Sequence, residues 1–146
     1  MVHLLSPTGQ SIRKDPAGDG HYGSPRSKIV DGKVVTYKHA GTDSSCTPGQ
    51  TCWAPHQSVV VRPAYPYKND KTYLGILLDA GWCLIKLFYL EPFVGVGVEL
   101  YRGQPIGIAQ DVTLKYPGIG MTPHIHWELS RFSNNPELYT ISGGHK

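Results

Sequence analysis

No stretch of this 146-residue chain repeats apolar residues at helical spacing for long enough to promise an amphipathic helix, so an all-helical fold is excluded at the outset. Charge is sparse too, at 17% of residues, with 14 basic against 11 acidic side chains and a formal net charge of +3. No run of Lys and Arg marks a nucleic-acid groove, and the small positive excess allows only mild attraction to anionic surfaces such as bacterial envelopes. Cysteine is limited to Cys46, Cys52 and Cys83, an odd number without a CxxC. That excludes a disulfide framework and a cysteine-based zinc knuckle, although Cys46 and Cys52 could still pair. The most apolar segment, 82–90, is too short for a membrane span and contains Lys86. The first seven residues lack the basic segment and long apolar run of a secretory signal, which leads to the expectation of a leaderless chain made in the cytoplasm and released by other means.

What is abundant is turn chemistry. With 17 Gly and 12 Pro beside 40% hydrophobic residues, the composition favours many short strands joined by tight turns. The length fits one domain, 1–146. Residues 1–26 form an irregular entry segment rich in Gly and Pro. Within it 18–23 formally matches GxGxxG, but no apolar strand precedes it and Ser24-Pro25 follows where a helix should open, so dinucleotide binding is dismissed. A polar hairpin at 28–38 turns at Asp31-Gly32. Strand-length runs follow at 51–54, 58–62, 73–79, 82–90, 94–101, 106–109 and 123–129, each bounded by turn residues. The expected fold class is mainly β, an antiparallel meander with one polar face, ending in a tail at 134–146 with a short helical turn at 136–139.

Within the last strand, His124 and His126 are separated by one residue, so they share a face while Ile125 and Trp127 share the other. Upstream, His39-Ala-Gly-Thr-Asp43 supplies an imidazole and a carboxylate in a polar turn region. Two histidines and a carboxylate are a recognised ligand set for catalytic zinc, which leaves its fourth position open. His39, Asp43 and one of His124 and His126 would supply it. Zinc makes a bound water acidic near neutral pH and polarises a carbonyl, chemistry suited to amide hydrolysis, and the spare histidine would transfer protons beside it.

Residues 20–26 (Gly-His-Tyr-Gly-Ser-Pro-Arg), His39-Ala-Gly-Thr-Asp43, Gly-Gln-Thr-Cys-Trp-Ala-Pro at 49–55, Gly-Gln-Pro-Ile-Gly at 103–107 and Pro-His-Ile-His-Trp-Glu at 123–128 together resemble the lysostaphin-type zinc metallopeptidases, in matching order. The resemblance implies one zinc ion on His39, Asp43 and His126, with His124 as the catalytic histidine. It also implies a polar groove for peptide cross-links of bacterial peptidoglycan. The chain would act as a monomer on the cell wall, with no nucleic acid partner and no membrane insertion. Combined with the expected lack of a leader, this suggests a phage-encoded lysin or virion-associated enzyme.

One position departs from that pattern. Active members carry a histidine where this chain has Tyr89, in Leu-Phe-Tyr-Leu at 87–90. In 81–89 and 116–119 the chain resembles leukocyte cell-derived chemotaxin more closely, which implies the same fold and zinc site used in signalling. Two functions therefore stay open, an endopeptidase and a zinc-stabilised binding module. A phenol can donate a hydrogen bond to an oxyanion, giving Tyr89 an electrophilic role, but its ordinary pKa of about 10 disqualifies it as a base near neutrality. Packing in an apolar run is an equally good reading of Tyr89. Glu128 could orient a ligand histidine, Arg26 and Arg102 could hold substrate carboxylates, and His21 could line the site through the glycine loop, although a loop histidine without a metal role is the better reading. His3, His56 and His145 read as surface residues.

Overall fold

Ile85 and Leu87 are buried while Leu84, Lys86 and Phe88 are partly exposed, the alternation of a strand with one face in a core. This strand is the tenth of fifteen in the computed structural model, which describes residues 3–130, 136–138 and 140–142. In chain order the strands are β1 (His3–Leu5), β2 (Lys14–Asp15), β3 (Gly18–Asp19), β4 (Pro25–Val30), β5 (Lys33–Lys38), β6 (Thr42–Ser45), β7 (Thr51–Trp53) and β8 (Ser58–Ala64). They continue as β9 (Gly75–Asp79), β10 (Leu84–Phe88), β11 (Leu90–Pro92), β12 (Glu99–Leu100), β13 (Pro105–Ala109), β14 (His124–Ser130) and β15 (Thr140–Ser142). Two 3-10 turns, Val112–Lys115 and Pro136–Leu138, are the helical pieces among the described residues.

The mainly β, antiparallel class holds. A six-stranded antiparallel sheet runs β12-β8-β9-β10-β14-β6, and a three-stranded one runs β11-β13-β7. Only β8-β9-β10 are a plain meander. Strand β14 enters beside β10 and brings β6 to its far side, so the histidine strand lies inside the sheet. β1 and β15 pair in parallel, and β2-β3 and β4-β5 are separate antiparallel ribbons.

The core lies between the two larger sheets. Ile125, Trp127 and Leu129 of β14 are fully buried with Ile85, Leu87, Leu78, Leu90 and Ile106, while the histidines of β14 point to the other face. Truncating a fully buried Trp commonly costs about 3–5 kcal/mol, so Trp127 alone anchors the histidine strand firmly. Its indole N–H donates to Ser44 Oγ at 3.0 Å, which also fixes β14 against β6.

Several boundaries differ from the sequence pattern. Of 94–101 only Glu99–Leu100 is strand; Gly97 takes φ +83° and the preceding residues turn, with Val96 exposed. The run 82–90 divides into β10 and β11 at Tyr89, whose φ of +75° is rare for a residue with a side chain. The entry segment contains β1, β2, β3 and the start of β4. The helical turn in the tail is a 3-10 turn at Pro136–Leu138, and the chain after 142 lies outside the described residues. Cys46, Cys52 and Cys83 are all buried, Cys46 and Cys52 do not pair with each other, and burial pushes their thiols up to about 12. No helix among the described residues is long and apolar enough to cross a membrane.

Candidate functional site

Pairing of β14 with β6 sets His126 opposite Asp43, and pairing with β10 sets Phe88 on the other side of His126. Paired residues of antiparallel strands share a face, so the three side chains project together. His39 joins them from the end of β5, through a bend at Ala40 and Gly41. Gly41 is required there by space: a Cβ would fall 2.5 Å from the carbonyl oxygen of Trp127 and 2.7 Å from the His126 ring.

The donor atoms form a small triangle. Asp43 Oδ1 lies 3.1 Å from His126 Nδ1 and 3.3 Å from His39 Nε2, and the two nitrogens are 3.1 Å apart. Tetrahedral zinc with bonds of about 2.0–2.1 Å places neighbouring ligand atoms about 3.3 Å apart, so donor type and spacing both fit that ion. His39 donates through Nδ1 to the His21 carbonyl at 3.2 Å, leaving the Nε2 lone pair for a metal. His126 Nε2 is 3.5 Å from Glu128 Oε2, which leaves its Nδ1 for the same use. Such outer partners orient the imidazoles of metal sites.

Electrostatically the pocket favours a cation. Burial opposes charge on Asp43, yet hydrogen bonds with His126 and His39 and the proximity of His124 hold its carboxyl well below the usual range. Burial likewise opposes an imidazolium at His126, but Asp43 and Glu128 outweigh it and lift its pKa to about 9.

His124 stands beside this triangle without joining it. Its Nε2 is 3.7 Å from Asp43 Oδ2 and its Nδ1 donates to the Thr122 carbonyl at 2.8 Å. Burial lowers its pKa, so near neutrality it offers an uncharged Nε2 lone pair. The ring of Tyr89 meets that of His124 edge-on at 5.5 Å between centroids. The left-handed backbone at Tyr89, where the chain leaves one sheet for the other, turns the side chain to the histidine side instead of the core face that strict alternation would assign. Burial raises the Tyr89 pKa to about 12, and a contact with Tyr67 partly offsets that rise. Tyr89 is thus a neutral phenol.

A cavity of about 420 Å³ joins His39, Asp43, His124, His126, Tyr89 and Arg26. A larger one of about 580 Å³, lined by His56, Asp79, Glu99 and Tyr101, contains none of them. The five residues singled out from the sequence are therefore gathered in one place. Glu128 contacts His126 and, at 3.6 Å, Lys86. Arg26 approaches Asp43 at 3.7 Å, whereas Arg102 reaches the His3 carbonyl. His21 contributes its carbonyl to His39, while its ring pairs with Asp19 at 2.6 Å. His145 lies outside the described residues.

Sequence reasoning missed Arg13, Tyr67 and a site role for Tyr116. Arg13 is buried and donates through Nε to Asp43 Oδ2 at 3.0 Å, while its Nη1 pairs with Asp15 at 3.0 Å. Tyr67 links Tyr89, at 3.3 Å between hydroxyl oxygens, to Tyr116, at 2.7 Å. Nothing local marks Arg13, which sits in a turn-rich segment 30 residues from its partner. Tyr116 belongs to the chemotaxin-like stretch 116–119, the one signal that singles it out.

No family model matches the chain. Among solved structures, the catalytic domain of the antimicrobial peptidase lysostaphin from Staphylococcus simulans superposes with a TM-score of 0.52 at 23% identity, covering 78% of this chain and 80% of that one. Csd3 from Helicobacter pylori gives 0.64 at 17% identity, covering 98% of this chain and 36% of its own. A zinc-containing peptidase from Vibrio cholerae gives 0.53 at 22%, covering 85% and 36%. The chain thus spans well under half of some of these longer proteins, and at such identities they define the fold: that of the lysostaphin-type peptidases. Bovine leukocyte cell-derived chemotaxin-2 is 30% identical over 126 residues, 86% of this chain and 76% of that protein. The chain belongs to the family of leukocyte cell-derived chemotaxin-2 within that peptidase fold. Chicken myeloid protein 1 is 29% identical over 129 residues, 88% of this chain but 37% of its own length.

Proposed function

We propose that the chain is a zinc-dependent endopeptidase acting on peptide cross-links of bacterial peptidoglycan. The observation carrying this reading is the triangle of His39 Nε2, Asp43 Oδ1 and His126 Nδ1, with edges of 3.1–3.3 Å, beside an uncharged His124. Those three residues would hold one zinc ion, which when bound supplies Lewis acidity towards the scissile carbonyl and a water that is acidic near neutral pH.

The chain's own groups divide the remaining work. His124, with Nδ1 tied to the Thr122 carbonyl, accepts at Nε2 the proton of the attacking water and returns it to the leaving amine. Tyr89, uncharged and held by Tyr67, donates its hydroxyl proton in a hydrogen bond to the oxyanion. Arg26, which lines the same cavity, would meet a substrate carboxylate. Action on the cell wall, and delivery by a phage at lysis or on its virion, belong to the same proposal.

Membership in the chemotaxin-2 family, with Tyr89 in place of a histidine, favours a second reading: a zinc-stabilised binding module without turnover. Turbidity loss of purified cell walls, measured with the zinc-loaded protein, with chelator and with His124→Ala, separates the two. Lysis abolished by both treatments supports the endopeptidase. One equivalent of zinc in a protein that leaves walls intact supports the module.

A further inference from the structure

The ribbon β4-β5 is a finger of about 20 Å, from its six residues per strand at about 3.3 Å each, whose edges pair with no other described strand. Asp31, at φ +51°, and Gly32, at φ +75°, close it with a tight turn. Every residue from 27 to 38 is exposed. At the tip Ile29 and Val34 are cross-strand partners, 76% and 72% exposed, and on the opposite face of the ribbon Val30 and Val35 are exposed beside Lys28 and Lys33. Four bonded or paired aliphatic side chains left in water at the end of a projection are unusual for a surface with no partner.

Charge is concentrated in the same place. The finger carries Arg26, Lys28, Lys33 and Lys38 against Asp31 alone. Outside it the chain has ten basic and ten acidic residues, from totals of 14 and 11, so its whole formal net charge of +3 resides in residues 25–38. At the root, Arg26 and Tyr37 line the histidine cavity.

We propose that this finger docks on an anionic phospholipid surface. Its lysines would meet the headgroups while Ile29 and Val34 enter the interface, which sets the mouth of the histidine cavity close to the bilayer. A soluble polyanion would satisfy the lysines but leave the aliphatic tip in water, and a neutral bilayer would satisfy the tip but not the lysines. An anionic lipid surface matches both, as one apolar contact combined with a basic patch.

The test is flotation of the full chain with vesicles of phosphatidylglycerol and phosphatidylcholine, with phosphatidylcholine alone, and with soluble polyphosphate as competitor. Binding to the mixed vesicles is expected, falling about fivefold for each of Lys28→Gln and Lys33→Gln. Ile29→Ser combined with Val34→Ser is expected to weaken vesicle binding about tenfold or more while leaving polyphosphate binding unchanged. Because all four positions are exposed, the variants should retain the parent thermal midpoint. No binding to mixed vesicles, equal binding to neutral ones, or indifference to the tip substitutions would overturn the proposal.

Discussion

Arg13 Nε lies 3.0 Å from Asp43 Oδ2, the carboxylate oxygen turned away from the His39 and His126 donors. One oxygen of Asp43 therefore faces the two imidazole nitrogens and the other is fixed by a buried guanidinium, which removes the freedom of the carboxylate to rotate. Both side chains are almost fully buried, at 4% and 3% exposure. Removing one member of a buried ion pair typically costs about 3–5 kcal/mol. Arg13→Met is expected to destabilise the protein by that order in urea unfolding. It should also weaken zinc binding about 10–100-fold in competition with a chromogenic chelator, the usual effect of losing an outer partner of a metal ligand.

Tyr89→Phe keeps the ring against His124 and deletes only the hydroxyl that meets Tyr67. Loss of one oxyanion donor commonly lowers turnover about 10²–10³-fold. Cell-wall hydrolysis should fall by that factor while zinc content stays at one equivalent by elemental analysis. Unchanged turnover would show that the phenol only packs.

The clustering of His39, Asp43, His124 and His126 was legible because each half of the set is local in sequence. His39 and Asp43 lie four residues apart around a bend, and His124 and His126 two apart in a strand, where the alternation rule puts them on one face. The same rule fails at Tyr89, because a positive φ reverses the side a residue faces and no composition rule announces it in an apolar run. Arg13 and Tyr67 were invisible for a different reason. Arg13 is brought to Asp43 by the isolated bridge between Ile12 and Ser44 and by its own backbone N–H, which donates to the Asp43 carbonyl at 2.9 Å, and Tyr67 meets Tyr89 and Tyr116 from the loop after β8; periodicity supplies neither contact. Residues 94–98 mislead by composition: Val and Gly alternate there as in a strand, but Gly97 allows a turn.

Lys115 bridges to Asp70 at 2.8 Å and lies over the Tyr67 ring at 4.3 Å, so this partly exposed pair braces the tyrosine cluster behind Tyr89. Hydrogen bonds from Lys115 and Thr72 lower the Asp70 pKa to about 2 in the folded state, from about 3.8. A depressed folded pKa contributes stability above the unfolded pKa, and that contribution disappears as pH falls through the folded one. The difference in unfolding free energy between the parent and Asp70→Asn should hence be constant above about pH 4 and vanish near about pH 2. Chemical denaturation across that range measures it, and a difference independent of pH would remove Asp70 from the brace.

Gly41 offers the sharpest test of how closely the proposed metal site is packed. A methyl group there would approach the Trp127 carbonyl oxygen to 2.5 Å and His126 Nε2 to 2.8 Å, and both belong to β14, which cannot retreat without unseating Trp127 from the core. Overpacking of this kind typically costs about 1–3 kcal/mol. The strain should be relieved by displacement of the His126 ring, the one neighbour held by side-chain torsions alone. Gly41→Ala is accordingly expected to lose zinc affinity more severely than stability: a thermal midpoint lowered by several degrees, as about 1–3 kcal/mol implies for a domain of this size, with zinc no longer retained through gel filtration. Retention of zinc with an unchanged midpoint would mean that the bend at Ala40 and Gly41 yields more easily than its contacts with β14 indicate.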